Sequence, residues 1–178
     1  MTSTRTMHPW RPRSLARQLA VQLLYQDELN PSGDATGPGG DELIERAGQL
    51  LRATLEEEAD QPPTGRAAPW RTVGPVGMDE LLRFACALVE GVRQHRAEID
   101  AQLAHATHHW QLERMAATDR AILRLATFEI LHSDTPGAVV LDEAVELAKR
   151  FGSAQSGQFV NGVLDHILRE HQGQPAEP

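Results

Sequence analysis

The segment DRAILRLATFEILH, residues 119–132, constrains the fold more than any other part of the sequence. Its apolar residues surround most of a helix axis: Ile122, Leu123, Leu125, Ala126, Phe128, Ile130 and Leu131. A helix that is apolar nearly all round has to be covered by other helices, so we expect this one at the centre of a bundle. Thr118 is its expected N-cap.

Elsewhere the apolar residues recur at three- and four-residue spacing, and no sustained alternation typical of strands is found. We expect further helices over about 14–29, 41–59 and 95–108, one from Met78, one striped by Leu141 to Ala148, and a last one striped by Phe159 to Ile167. Ser14 and Ser153 are expected N-caps, and Gly152 is an expected helix stop. The prediction is an all-α fold of about seven helices, as one bundle or as two bundles that share the central helix.

The chain of 178 residues is long enough for one domain with a core. We expect a flexible basic arm over 1–12, a single helical domain over 13–172 and a disordered tail over 173–178. Pro/Gly-rich stretches near 31–40 and 61–77 predict flexible connections. No apolar run approaches the roughly 20 residues that cross a membrane, and the single cysteine, Cys86, lies in an apolar helical pattern. Together these features favour a cytoplasmic protein without disulfides.

Charge is distributed unevenly along the chain. The formal net charge is −8, yet the first acid is Asp27, and four arginines precede it: Arg5, Arg11, Arg13 and Arg17. Arg13 and Arg17 are four residues apart, so both fit one side of a helix start. This asymmetry indicates a basic arm that meets a polyanion. Charge alone leaves a tag scar or a solvated helix start equally open.

The residues suggest no catalytic chemistry. His105, His108 and His109 have a helical spacing that would allow His105 and His109 to share a zinc ion, but no acid follows at motif spacing, so no metal and no cofactor are predicted. FGSAQSGQFVNG, residues 151–162, opens a helix whose start suits an anion, but no Gly-Lys-Ser/Thr follows as in a P-loop. Residue chemistry alone predicts a non-enzymatic binding module.

Five separate segments carry a family resemblance, and two of them, LVEGVRQHRAEIDAQL and HHWQLERM, match the middle of the family pattern. MAATDRAILRLATFEIL, VVLDEAVELAKRFGSAQSGQFVNGVLDHI and the N-terminal RPRSLARQLAVQLLYQ resemble, in the same order, the motifs of the NusB family of transcription antitermination factors. The resemblance covers about three-quarters of the chain. The two Pro/Gly-rich stretches depart from the family pattern.

The resemblance implies two packed helical bundles and no catalytic activity. It implies a complex with NusE, a ribosomal small-subunit protein that doubles as a transcription factor. Together the two proteins would bind single-stranded boxA-type RNA of nascent rRNA transcripts, within the RNA polymerase antitermination complex, and suppress termination. The family also includes proteins that self-associate, so a homodimer is allowed.

Site residues follow from the resemblance by position. The implied RNA contacts are Arg11, Arg13, Arg17, Gln155, Ser156, Gln158 and Phe159. The implied NusE contacts are Tyr25 and Asp119. Family members often carry Lys where this chain has Gln158, and an acid where it has Gln155. Phe159 either stacks on a base or begins the apolar stripe of the last helix, and a basic partner would supply the positive charge that this acidic chain lacks.

Two other functions remain open. A NusB-like domain also precedes the catalytic domain of an rRNA cytosine methyltransferase, but the chain length leaves no room for that second domain. A structural or oligomerisation module associated with rRNA maturation is the alternative to RNA binding.

Overall fold

The computed structural model describes residues 12–30, 37–59, 75–108 and 111–173. These residues form seven α-helices and a short 3₁₀ helix, with no strand among them, which confirms the all-α prediction. The α-helices are α1 (Pro12–Leu29), α2 (Gly40–Ala59), α3 (Pro75–Gln94), α4 (Arg96–Ala106), α5 (Ala117–His132), α6 (Gly137–Phe151) and α7 (Ser156–His171). The 3₁₀ helix, Leu112–Arg114, lies between α4 and α5.

Helix α5 is the centre of the fold, as its sequence predicted. Every residue from Ala121 to Thr127 is buried, so this stretch is covered on all sides. The helices that pack against it are α1, α3, α4, α6 and α7. Burial all round is the arrangement that an all-apolar helix surface requires.

Two apolar clusters divide the interior. The smaller cluster lies between α1, α2 and α3 and consists of Leu15, Ala16, Leu19, Leu51, Leu81 and Ala85. The larger one is built around α5 and takes residues from all seven helices. Because α1 contributes its first half to one cluster and its second half to the other, α1 connects the two clusters.

The predicted N-caps of two helices are wrong. Helix α1 begins at Pro12, since the fixed φ of proline suits a first turn, and Ser14 therefore lies inside the helix. The Ser14 hydroxyl instead donates to Glu143 Oε1 on α6 at 2.7 Å. Thr118 is the second residue of α5, whose N-cap, Ala116, makes no side-chain capping hydrogen bond.

The cap of α7 is reversed relative to the prediction. Ser153 was expected to cap the helix, but the N-cap is Gln155. The Ser156 hydroxyl accepts a hydrogen bond at 2.8 Å from the backbone N–H of Ser153. Gly152 ends α6 as predicted. A Cβ at Gly152 would collide with the Ser156 side chain, so this tight turn requires glycine.

Some sequence predictions fall outside the described residues, including those on 1–11, 31–36, 60–74 and 174–178. The start of α3 at Pro75 lies within the segment 61–77 that was expected to be flexible. Cys86 is buried in the larger core, and burial raises the pKa of its thiol, as suits a packing residue. None of the described helices combines the length and the apolar character needed to span a membrane.

Candidate nucleic-acid interface

Arg13 lies at the exposed start of α1. Its guanidinium carbon lies 5.1 Å from the centre of the Phe84 ring on α3, a distance that suits a cation–π contact. The ring therefore supports the arginine without neutralising its charge. An exposed, supported cation of this kind is suited to a phosphate. Arg11, the neighbouring predicted contact, lies outside the described residues.

Arg17 lies one turn further along α1 and is only 3% exposed. Its Nε and Nη2 each donate to the Glu129 carboxylate on α5 at 2.8 Å. Burial alone lowers the pKa of the Arg17 guanidinium, but the hydrogen bonds and charge of Glu129 outweigh it, and the net shift is upward. The expected position beside Arg13 is correct, since both arginines lie against Phe84, but the side chain faces inward. In this structure Arg17 joins α1 to α5 and offers no surface to RNA.

The turn between α6 and α7 presents three of the four side chains predicted there. Gln155, Gln158 and Phe159 are exposed. Phe159 keeps 39% of its surface accessible, while Val160, the next residue, is fully buried and begins the apolar stripe of α7. The open question about Phe159 is thus answered in favour of exposure. Two amides and an aromatic ring are groups that read splayed bases of single-stranded RNA.

Ser156, the fourth residue, is 2% exposed and points into the protein. Its hydroxyl donates to Asp119 Oδ2 at 3.1 Å, which ties the start of α7 to the start of α5. Asp119 is itself 9% exposed, and its Oδ1 makes no hydrogen bond within the described part of the chain. The hydrogen bond between buried Ser156 and Asp119 therefore fixes the position of the turn between α6 and α7.

Two cations beside this turn were missed by the sequence reasoning. Lys149 and Arg150 are exposed in the last turn of α6, directly before the turn. The Lys149 stem lies against Gly157, and the guanidinium carbon of Arg150 is 5.6 Å from the centre of the Phe151 ring. Their position immediately upstream of FGSAQSG was a usable signal. Lys149 Nζ lies 2.7 Å from Glu146 Oε1, so the positive charge that these two residues place beside the turn is partly offset by Glu146.

One face of α6 connects the two parts of this surface. Glu143 contacts Ser14 and also lies 3.9 Å from Arg17, both at the start of α1. Arg150 follows seven residues later, so it lies on the same face, about 10 Å further along the helix axis. We refer to Arg13, Lys149, Arg150, Gln155, Gln158 and Phe159 together as the α1–α7 surface.

Of the two predicted partner residues, Tyr25 lies near the end of α1, away from Arg13, whereas Asp119 lies beneath the start of α7. Tyr25 is half-buried and packs against the larger core. Glu28, three residues later, accepts a hydrogen bond from Arg120 at 2.6 Å, so the end of α1 lies beside the start of α5. Arg120 directly follows Asp119 in the chain. Tyr25 and Asp119 are therefore brought to the same end of the molecule, although the Asp119 carboxylate is turned towards Ser156.

Two groups of side chains could hold a metal ion among the described residues, and neither belongs to the α1–α7 surface. One consists of His95, Glu98 and His132, and the other of His105, His166 and Glu170.

Comparisons with known proteins identify relatives over most of the chain. The model of the NusB family matches residues 75–169. A transcription antitermination protein NusB of Symbiobacterium thermophilum is 41% identical over 162 residues, which are 90% of this chain and 92% of the relative. The NusB protein of Anaeromyxobacter dehalogenans is 38% identical over 155 residues, or 87% and 89% of the two chains.

Solved structures share the fold. NusB of T. maritima is 31% identical and superposes with a TM-score of 0.62, over 90% of this chain and 93% of that chain. The NusB chain of a crystal structure of the antitermination factors NusB and NusE in complex with dsRNA is 24% identical, with a TM-score of 0.59 over 90% and 98% of the chains. Because the sequence identity to this second structure is below 25%, the similarity shows a shared fold only.

Proposed function

We propose that this chain, which belongs to the NusB family, is a non-catalytic RNA-binding factor for transcription antitermination. Its curated relatives are named for transcription antitermination, and they align over nearly their whole length. Action on nascent RNA supports a cytoplasmic location.

The observation that carries the RNA contact is the exposed Phe159 ring at the start of α7. An aromatic side chain with 39% of its surface accessible offers a face on which a base can stack. Gln155 and Gln158 flank it with hydrogen-bond donors and acceptors, and Lys149 and Arg150 supply charge for the adjoining phosphates. Arg13 extends this surface towards α1.

The partner proposal follows from charge and family. A chain of formal net charge −8 with a few exposed cations binds RNA weakly by itself, because phosphate contacts supply much of the affinity. A basic ribosomal protein such as NusE, bound near Tyr25 and Asp119, would supply the missing cations. The joint complex would bind boxA-type RNA of nascent rRNA transcripts and act within the RNA polymerase antitermination complex.

A boxA RNA titration with and without NusE tests this function. We expect weak binding by the chain alone and a marked gain of affinity when NusE is present. Failure to associate with NusE, together with no gain of affinity for RNA, would contradict the proposal. Sedimentation at several concentrations in the same buffers would then reveal whether the chain is instead an oligomerisation module.

A further inference from the structure

A cluster of two histidines and one carboxylate joins α4 to α7, away from the α1–α7 surface. We propose that His105, His166 and Glu170 form a zinc-binding site that clamps these two helices together. The spacing around His105 lacked a third ligand in the sequence. The fold supplies the other two ligands from α7, about 60 residues further along the chain.

The distances between the ligand atoms suit a tetrahedral ion. His105 Nδ1 lies 3.4 Å and His166 Nε2 lies 3.5 Å from the same oxygen, Glu170 Oε1, and the three atoms lie within 4.8 Å of one another. These separations are longer than a good hydrogen bond. With ligands about 2.0–2.1 Å from zinc, the edge of a tetrahedron is about 3.3–3.4 Å. Both measured separations are therefore close to the edge that zinc imposes.

The backbone presents these ligands from packed helices. His166 and Glu170 are four residues apart on α7, which places them on one face, and both are half-buried. Helix α4 packs against α7 and brings His105 to the exposed side, from which an ion can enter. The ring of His108 lies 6.3 Å from that of His166, so the fourth position is left to His108 or to water.

Imidazole nitrogens select the kind of ion. Two histidines and a carboxylate are ligands of zinc, whereas magnesium prefers sites made of oxygen atoms. The second cluster differs in geometry: His95 and His132 lie 3.3 and 3.0 Å from Glu98 Oε2, and their rings are 3.9 Å apart. The 3.0 Å hydrogen bond between His132 and Glu98 and the tilted contact between the two rings account for that cluster, which therefore serves as an internal control.

Calorimetric titration of the full, tag-free chain with zinc chloride tests the site. We expect one ion per chain, no equivalent binding of magnesium chloride, and an unfolding temperature that rises with zinc. His166→Ala and Glu170→Gln should each weaken zinc binding by about 100-fold or more, since even outer-shell partners of a metal cost about 10–100-fold. Circular dichroism would verify that both variants are folded, and Glu170→Gln keeps the shape of the side chain in case His166→Ala does not fold.

Two control variants make the result decisive. His171→Ala removes an exposed histidine from the same end of α7, and His132→Ala disrupts the second cluster, so both should bind zinc as the wild type does. The proposal is overturned if the wild type does not bind zinc. It is equally overturned if zinc binding survives in Glu170→Gln or disappears in His132→Ala.

Discussion

Arg13 and Arg17 are the same residue type, one turn apart on the same side of α1, yet their environments are opposite. Arg13 is exposed above the Phe84 ring, while Arg17 is 3% exposed and bound to Glu129. The turn before α7 repeats the contrast, because Phe159 is exposed and Ser156 is buried against Asp119. In each part of the predicted RNA site, one residue faces solvent and another holds the surface in place.

This contrast distinguishes an effect on stability from an effect on RNA contact, which a measurement of RNA affinity alone would not separate. Loss of a buried residue weakens the fold and thereby the surface, whereas loss of an exposed one acts mainly on the contact with RNA. Stability and affinity therefore have to be measured on the same variants. The expected effects below run from the largest to the smallest.

Replacing Arg17 is expected to have the largest effect on stability. Arg17→Ala leaves the Glu129 carboxylate buried without its cation, which should cost about 3–5 kcal/mol in the free energy of unfolding. Urea denaturation followed by circular dichroism measures this loss. Arg13→Ala is the matched control and should change stability by no more than about 0.5 kcal/mol. An unchanged denaturation midpoint in Arg17→Ala would show that the ion pair does not hold α1 to α5.

Ser156→Ala is expected to destabilise the chain by about 1–3 kcal/mol, because it removes the hydrogen bond to Asp119 and the acceptor for the Ser153 N–H. The same urea experiment measures this effect. Ser153→Ala keeps the backbone N–H and removes one hydrogen bond, the 3.1 Å contact between the Ser153 and Ser156 hydroxyls, so its loss of stability should be smaller. Equal losses in the two variants would contradict the assigned role of Ser156.

Phe159→Ala is expected to weaken RNA binding by about 1–3 kcal/mol, or about 5- to 150-fold, through the loss of base stacking. Fluorescence anisotropy with boxA RNA and NusE measures the affinity. Ile44→Ala is the matched control, since Ile44 is also 39% exposed but lies on α2. A larger loss of affinity in Ile44→Ala than in Phe159→Ala would place the RNA elsewhere.

The helices were predictable because their signals are local. The apolar residues of α5 surround the axis within a single segment, and burial from Ala121 to Thr127 follows directly from that pattern. Helix starts were less predictable. Ser14 is a good capping residue, but its hydroxyl donates to Glu143, 129 residues away in the sequence.

The sequence placed the candidate site residues on their helices but did not predict which of them are exposed. Arg17 is buried because Glu129 lies opposite it, 112 residues away, and no pattern near Arg17 encodes that partner. Phe159 and Val160 are adjacent apolar residues about 100° apart on the helix, so periodicity alone did not decide which one faces the core. The surrounding helices decide it, and Val160 is the buried residue.

The salt dependence of RNA affinity in the presence of NusE tests the α1–α7 surface most directly. Arg13→Ala should weaken binding and reduce the slope of log affinity against log salt by about 0.7, the loss of one phosphate contact to single-stranded RNA. Phe159→Ala should weaken binding with the slope unchanged, because stacking releases no counterions. Wild-type affinity and slope in Arg13→Ala, with Phe159→Ala equally unaffected, would contradict RNA binding by this surface.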